Sequence, residues 1–108
     1  MYQPSKHLDT FCICGFQHHD GALVLRQLEP GMRLDLVAEP DNPYDHDAIA
    51  IKFRGTMLGY VPAKNNYLLS LMMFYGHSDV FECRILQVDP AAEPWKQVRV
   101  GLYVTDAR

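Results

Sequence analysis

Two runs of alternating residues, MRLDLVA (32–38) and AIAIKF (48–53), do most to limit what this chain can fold into. In the first, Met32, Leu34 and Leu36 alternate with Arg33 and Asp35, and a period of two sends one set to a core and the other to water. Both runs are therefore expected as half-buried strands. Arg54-Gly55 follows the second as a tight turn, and TMLGYVP (56–62) returns as its hairpin partner. A chain whose middle is committed to antiparallel strands must bury one face of a sheet.

The flanks add to this pattern. FCICGF (11–16) is rich in β-formers and reads as a first strand, and HHDGALVLRQL (18–28) as a short helix ended by Glu29-Pro30-Gly31. Asn65-Asn66 supplies a cap for a helix YLLSLMMFY (67–75), which Gly76 closes. DVFECRILQVD (79–89) and WKQVRVGLYV (95–104) read as two further strands joined by the Pro90 to Pro94 turn. No repeat, low-complexity tract or linker interrupts the 108 residues, so one domain over 1–108 is expected. The expected fold is mainly β with two short helices: a small barrel of five to six strands.

The bulk numbers exclude several classes. The net charge is −3, and a protein that grips long duplex by its phosphates carries an excess of lysine and arginine instead. Any nucleic-acid footprint is expected to be short. No run of about eighteen apolar residues is present to cross a membrane. The opening MYQPSKHLDTF lacks the layout of a secretory signal. Three cysteines, an odd and sparse set, point to a reducing cytoplasm.

Between the two alternating runs lies EPDNPYDHDA (39–48), where Glu39, Asp41, Asp45 and Asp47 surround Tyr44. Pro40 and Pro43 each hold φ near −65° and extend the residue before them, so the corner is stiff before anything binds. Asp45 is suited to cap the turn with its carboxylate on the amide of Asp47 or Ala48. The same carboxylate can accept a hydrogen bond from a terminal hydroxyl while repelling a terminal phosphate. Tyr44 beside it can stack on a base without reading its identity. Lys52, Arg54 and Lys64 are available for the next phosphates, or as ordinary solvated surface.

The phrases GFQHHDG (15–21), LEPGMRLDLVAEPDNPYDHDAIAI (28–51) and LGYVPAKNN (58–66) together resemble the HIRAN domain. That family is known from DNA-repair translocases and from short free-standing bacterial proteins. The resemblance implies a modified OB-like β-barrel and a non-enzymatic module that holds the free 3′-hydroxyl end of single-stranded DNA. It further implies Asp45 as acceptor of the terminal hydroxyl and Tyr44 as a stacking platform. Tyr60 stands where the family's nucleic-acid binders have a histidine, and His18 and His19 where they have a tyrosine pair. Gln17 replaces an arginine, which removes a phosphate contact. The candidate site is thus Tyr44, Asp45, Tyr60, His18, His19 and Lys64.

Other chemistries fit less well. Cys12, Cys14, His18 and His19 are zinc-ligand types, but Cys-x-Cys is not the usual spacing and no second pair follows. Two core cysteines on a strand, and no zinc, are expected instead. DNPYDHDA lacks the glycine and the bidentate glutamate of a calcium loop. No nucleophile with its base and no phosphate-cradling loop is present. In helix 67–75, Leu69, Met73 and Phe74 fall outside the stripe set by Tyr67, Leu68, Leu71, Met72 and Tyr75. They are expected as a surface for a homodimer or another protein partner, the alternative to DNA-end binding.

Overall fold

The alternating runs form neighbouring strands of one six-stranded antiparallel sheet in the computed structural model, which describes residues 5–105. The termini of the expected 1–108 unit, residues 1–4 and 106–108, lie outside the described residues. In chain order the elements are β1 (Ser5–Cys12), α1 (Gly21–Val24), β2 (Arg33–Ala38), β3 (Ile49–Phe53), β4 (Thr56–Tyr60), α2 (Tyr67–Phe74), β5 (Phe81–Val88) and β6 (Val98–Thr105). Across the sheet the order is β1-β6-β5-β2-β3-β4. No helix among the described residues is long and apolar enough to cross a membrane.

The sheet is strongly curled but not closed. Register shifts interrupt the β1/β6, β3/β4 and β5/β6 ladders, and each such irregularity bends its strand and increases local twist. The bending brings the chain just past β1 against β4, where Cys14 and Tyr60 exchange two backbone hydrogen bonds of 2.9 Å. That single bridge stands in place of a ladder. Gly59 makes it possible: its φ is +155°, and a Cβ there would sit 2.4 Å from the carbonyl oxygen of Cys14. Only a residue without a side chain allows this approach.

The concave side is filled by Phe11, Leu34, Ile51, Leu58, Ile85 and Val100, with Leu69 of α2 among them. As read from the alternation, Leu34 is buried and Arg33 and Asp35 are exposed. β3 departs from expectation, because Ala50 is buried as well as Ile49 and Ile51, so both of its faces are covered. The buried Glu82 of β5 pairs with Arg33 and Arg84, whose guanidinium groups offset its desolvation.

Several boundaries move. The first strand runs over 5–12 rather than 11–16, and residues 16–18 form a 3-10 turn. The helix expected over 18–28 is one α turn, Gly21–Val24, followed by a 3-10 turn over 25–27. A Cβ at Gly21 would lie 2.2 Å from the Phe16 ring, so this segment is shaped around a buried aromatic rather than by helix propensity. The last two strands start later, at Phe81 and Val98, each preceded by a 3-10 turn.

α2 is in place, but its faces are reversed. Leu69 is 1% exposed and Met73 packs against the core, whereas Tyr67, Leu68, Leu71 and Tyr75 point outward together with Phe74. Leu69 is therefore no partner-surface residue, and of the three expected there only Phe74 lies on the exposed side. A helix that is apolar nearly all round has no dominant stripe, so periodicity could not choose between its faces.

Candidate nucleic-acid interface

The acidic corner forms a loop between β2 and β3, closed at its neck by the Glu39 amide donating to the Ala48 carbonyl at 2.8 Å. Inside it, Asn42 acts as an internal splint. Its side-chain oxygen accepts the backbone amides of Tyr44 at 2.9 Å and Asp45 at 3.2 Å, an Asx-type turn. Asp45 then uses Oδ1 to accept the Asp47 amide at 2.9 Å, the capping role expected from the sequence. Its Oδ2 accepts the side-chain amide of Asn66 at 2.9 Å. One residue pair further along, the Ser70 hydroxyl donates to Oδ1 of Asp47 at 3.0 Å. The loop is thereby tied to the start of α2 at two points.

Asn66 is the least expected of these groups. It stands at the N-cap of α2, yet its side chain makes no capping hydrogen bond and is spent on Asp45. At 3% exposure it is one of the few buried polar side chains, so its donor needs this partner.

A cavity of about 460 Å³ opens beside the loop. Tyr44, Asp45 and Asn42 line one side, Tyr60 and Val61 of the β4 end another, and His19 and Cys14 a third. The Cys14–Tyr60 bridge holds these last two walls together. Tyr44 is 96% exposed, a ring presented to solvent with nothing packed over it. His19 meets the Tyr60 ring edge-on, with centroids 5.6 Å apart. The Tyr60 hydroxyl donates to Oε1 of Glu39 at 2.8 Å, and Asn42 Nδ2 donates to the same oxygen at 3.1 Å. The Glu39 bond, then burial, then the Glu39 charge raise the Tyr60 phenol above its ordinary pKa, while Asn42 opposes the shift.

Of the six candidate residues, the cavity gathers Tyr44, Asp45, Tyr60 and His19. His18 is exposed on the 16–18 turn and does not line it. Lys64 is also exposed, on the 3-10 turn Ala63–Asn65, and lines a separate hollow with Asp9, Tyr67 and Leu68. No lysine or arginine lines the cavity among the described residues. Cys12 is half-buried and Cys14 exposed, so the pair expected in the core is not there; Cys83 is the buried cysteine. β1 ends at Cys12, and Cys14 turns outward at the bridge. Among the described residues, no three His, Cys, Asp or Glu side chains converge as metal ligands.

Sequence reasoning missed Glu39, Asn42 and Asn66 as parts of the site. Asn42 stands within the Pro-flanked turn and was legible as a turn former. The Glu39–Tyr60 and Asp45–Asn66 pairs join distant segments through the fold, and no local pattern marks them.

A six-stranded OB-like sheet that is not closed, with a hollow lined by Tyr44, Tyr60 and His19, is the frame in which the family is recognised. The chain belongs to the HIRAN domain family, whose profile matches residues 10–105. This family is known for nucleic-acid binding rather than catalysis. A solved structural-genomics target from Lactobacillus plantarum is similar at 25% identity and a TM-score of 0.76, over 93% of this chain and 94% of that one. The HIRAN domain of human HLTF is similar at 15% identity and a TM-score of 0.62, over 97% of this chain and 84% of that domain. At that identity the second likeness carries the fold alone. Among curated proteins, none matches the chain.

Proposed function

We propose that this protein is a non-enzymatic binder of single-stranded DNA that holds the free 3′-hydroxyl end in the cavity beside the 39–48 loop. The observation that carries the reading is Asp45: its carboxylate is braced by the Asp47 amide and Asn66 while it lines an open cavity next to an uncovered tyrosine ring. Each carboxylate oxygen retains a lone pair for a further donor. A terminal hydroxyl supplies that donor, and a terminal phosphate, which is anionic and without a strong donor, does not. Tyr44 and His19 offer faces for the last bases. Lys64, outside the cavity, takes a phosphate further up the strand.

The test is fluorescence anisotropy with short single-stranded oligonucleotides at low salt, comparing free 3′-hydroxyl, 3′-phosphate and 5′-only ends. We expect preference for the free 3′-hydroxyl, lost in Asp45→Ala. Absence of binding by the folded protein to every oligonucleotide overturns the reading.

A second reading is supported by α2. Its outer face carries Tyr67, Leu68, Leu71, Phe74 and Tyr75, all exposed, beside a groove of about 550 Å³. In this reading the protein self-associates through that face. A monomer by sedimentation at high concentration excludes it.

A further inference from the structure

Glu39 does not line the cavity, yet it is hydrogen-bonded to two residues that do, Tyr60 and Asn42. A phenol has one proton, and that of Tyr60 is given to Oε1 of Glu39. Tyr60 lines the cavity, and with its one proton on Glu39 its oxygen is left able only to accept. Asn42 is committed at both ends: its Nδ2 donates to the same Glu39 oxygen, and its Oδ1 accepts the amides of Tyr44 and Asp45. The backbone amides of Tyr44 and Asp45 are themselves occupied by this contact. Asp45 contributes a carboxylate, which accepts only. Of the polar side chains that the loop and the β4 end bring to the cavity, Asp45 can only accept, and Tyr60 and Asn42 have donors committed to Glu39.

We infer that Glu39 is a positioning residue that sets the specificity of the cavity for hydroxyl-bearing over phosphate-bearing ends. This rests on the 3′-end reading above and adds to Asp45, which accepts the hydroxyl, a second residue outside the cavity lining that keeps phosphate-binding donors away. Without the Glu39 carboxylate, the phenol proton of Tyr60 and the amide of Asn42 turn to the cavity. Those are the groups a terminal phosphate needs, while the acceptor for a hydroxyl, Asp45, is still in place. Loss of Glu39 thus relaxes selectivity by admitting the phosphate end. A role confined to shaping the loop has a different signature, because it weakens both ends alike. The raised pKa of Tyr60 agrees with a phenol kept neutral by this bond.

The experiment measures affinity for otherwise identical oligonucleotides ending in 3′-hydroxyl or 3′-phosphate, with wild type, Glu39→Ala and Glu39→Gln, thermal melts recording that each is folded. We expect Glu39→Ala to reduce the wild-type hydroxyl preference about tenfold or more, chiefly through tighter phosphate-end binding. Glu39→Gln keeps an acceptor for the phenol proton and is expected between wild type and Glu39→Ala; it carries the test alone if the alanine variant does not fold. A preference ratio within about twofold of wild type in the folded variants, with both affinities falling together, overturns the inference and leaves the end-binding reading intact. A wild type without any end preference overturns both.

Discussion

Asn66 donates its side-chain amide to Oδ2 of Asp45 at 2.9 Å across 21 residues of sequence, while Oδ1 of the same carboxylate accepts the Asp47 amide. An acid in a stiff loop is thus fixed from two directions, once by its own turn and once by the N-cap residue of a helix. The Ser70–Asp47 bond repeats the attachment one helical turn later. The loop that lines the cavity is thus braced by the helix, so the acceptor is held ready before a ligand arrives.

Removing the helix-side partner should therefore cost both stability and binding. In Asn66→Ala, a part-buried carboxylate oxygen loses its donor. We expect a loss of about 1–3 kcal/mol of folding stability, read from urea denaturation. Oligonucleotide affinity should fall with it, since Asp45 then rests on its turn alone. Unchanged stability would mean that water replaces the amide freely.

Tyr44 separates function from folding more cleanly. Its ring is almost entirely exposed, so Tyr44→Ala should leave the urea midpoint within about 0.5 kcal/mol of wild type. Loss of a stacking surface should weaken single-strand binding by about 1–3 kcal/mol, whichever base is terminal. Anisotropy with oligonucleotides differing only in the last base checks both the size of the effect and its indifference to sequence.

The parts of this architecture that were readable in sequence are those set by neighbours in the chain. The β3–β4 hairpin was placed correctly because Arg54 and Gly55 both take positive φ, 49° and 87°, a turn that glycine makes easy. The Asp45 cap on Asp47 is a two-residue relation and was equally legible. β1 was placed too late because SKHLDT is a mostly exposed edge segment whose only ladder among the described residues is with β6, and no alternation marks it. Asn66 was taken as a helix cap, its commonest local use, since nothing nearby shows that Asp45 will claim its side chain. The exposed side of α2 was misassigned because the helix carries no charged residue to orient it, and its one serine, Ser70, is turned to Asp47 rather than to water. Contacts made through the fold, Glu39 with Tyr60 above all, are where local reading ended.

The Glu39–Tyr60 bond also has a pH signature. The hydrogen bond to the carboxylate raises the folded-state pKa of Tyr60 above the ordinary 10.0. For a group with a raised folded pKa, the associated stability is fully present below pH 10 and is lost as pH rises through the folded value. Phenolate absorbance should therefore show Tyr60, identified by difference against Tyr60→Phe, titrating later than an unperturbed tyrosine. Glu39→Ala should bring it back toward 10. A Tyr60 titration that is the same with and without Glu39 would show that burial alone accounts for the shift.

Thiol chemistry offers a footprint of the cavity that needs no mutation of its contact residues. Cys14 is exposed and lines the cavity, whereas Cys83 is buried and its thiol is pushed up to about 12 by desolvation. Since the thiolate is the reactive form, Cys83 should resist maleimide near about pH 8 until the protein is unfolded, and Cys14 should react in the native state. In a Cys12→Ser background, which removes the half-buried thiol, the native-state signal reports Cys14 alone. An oligonucleotide with a free 3′-hydroxyl should slow that reaction by occupying the cavity, and its 3′-phosphate counterpart should slow it much less. Equal labelling rates with the strand demonstrably bound would place the strand elsewhere on the surface, with the exposed face of α2 the next segment to probe.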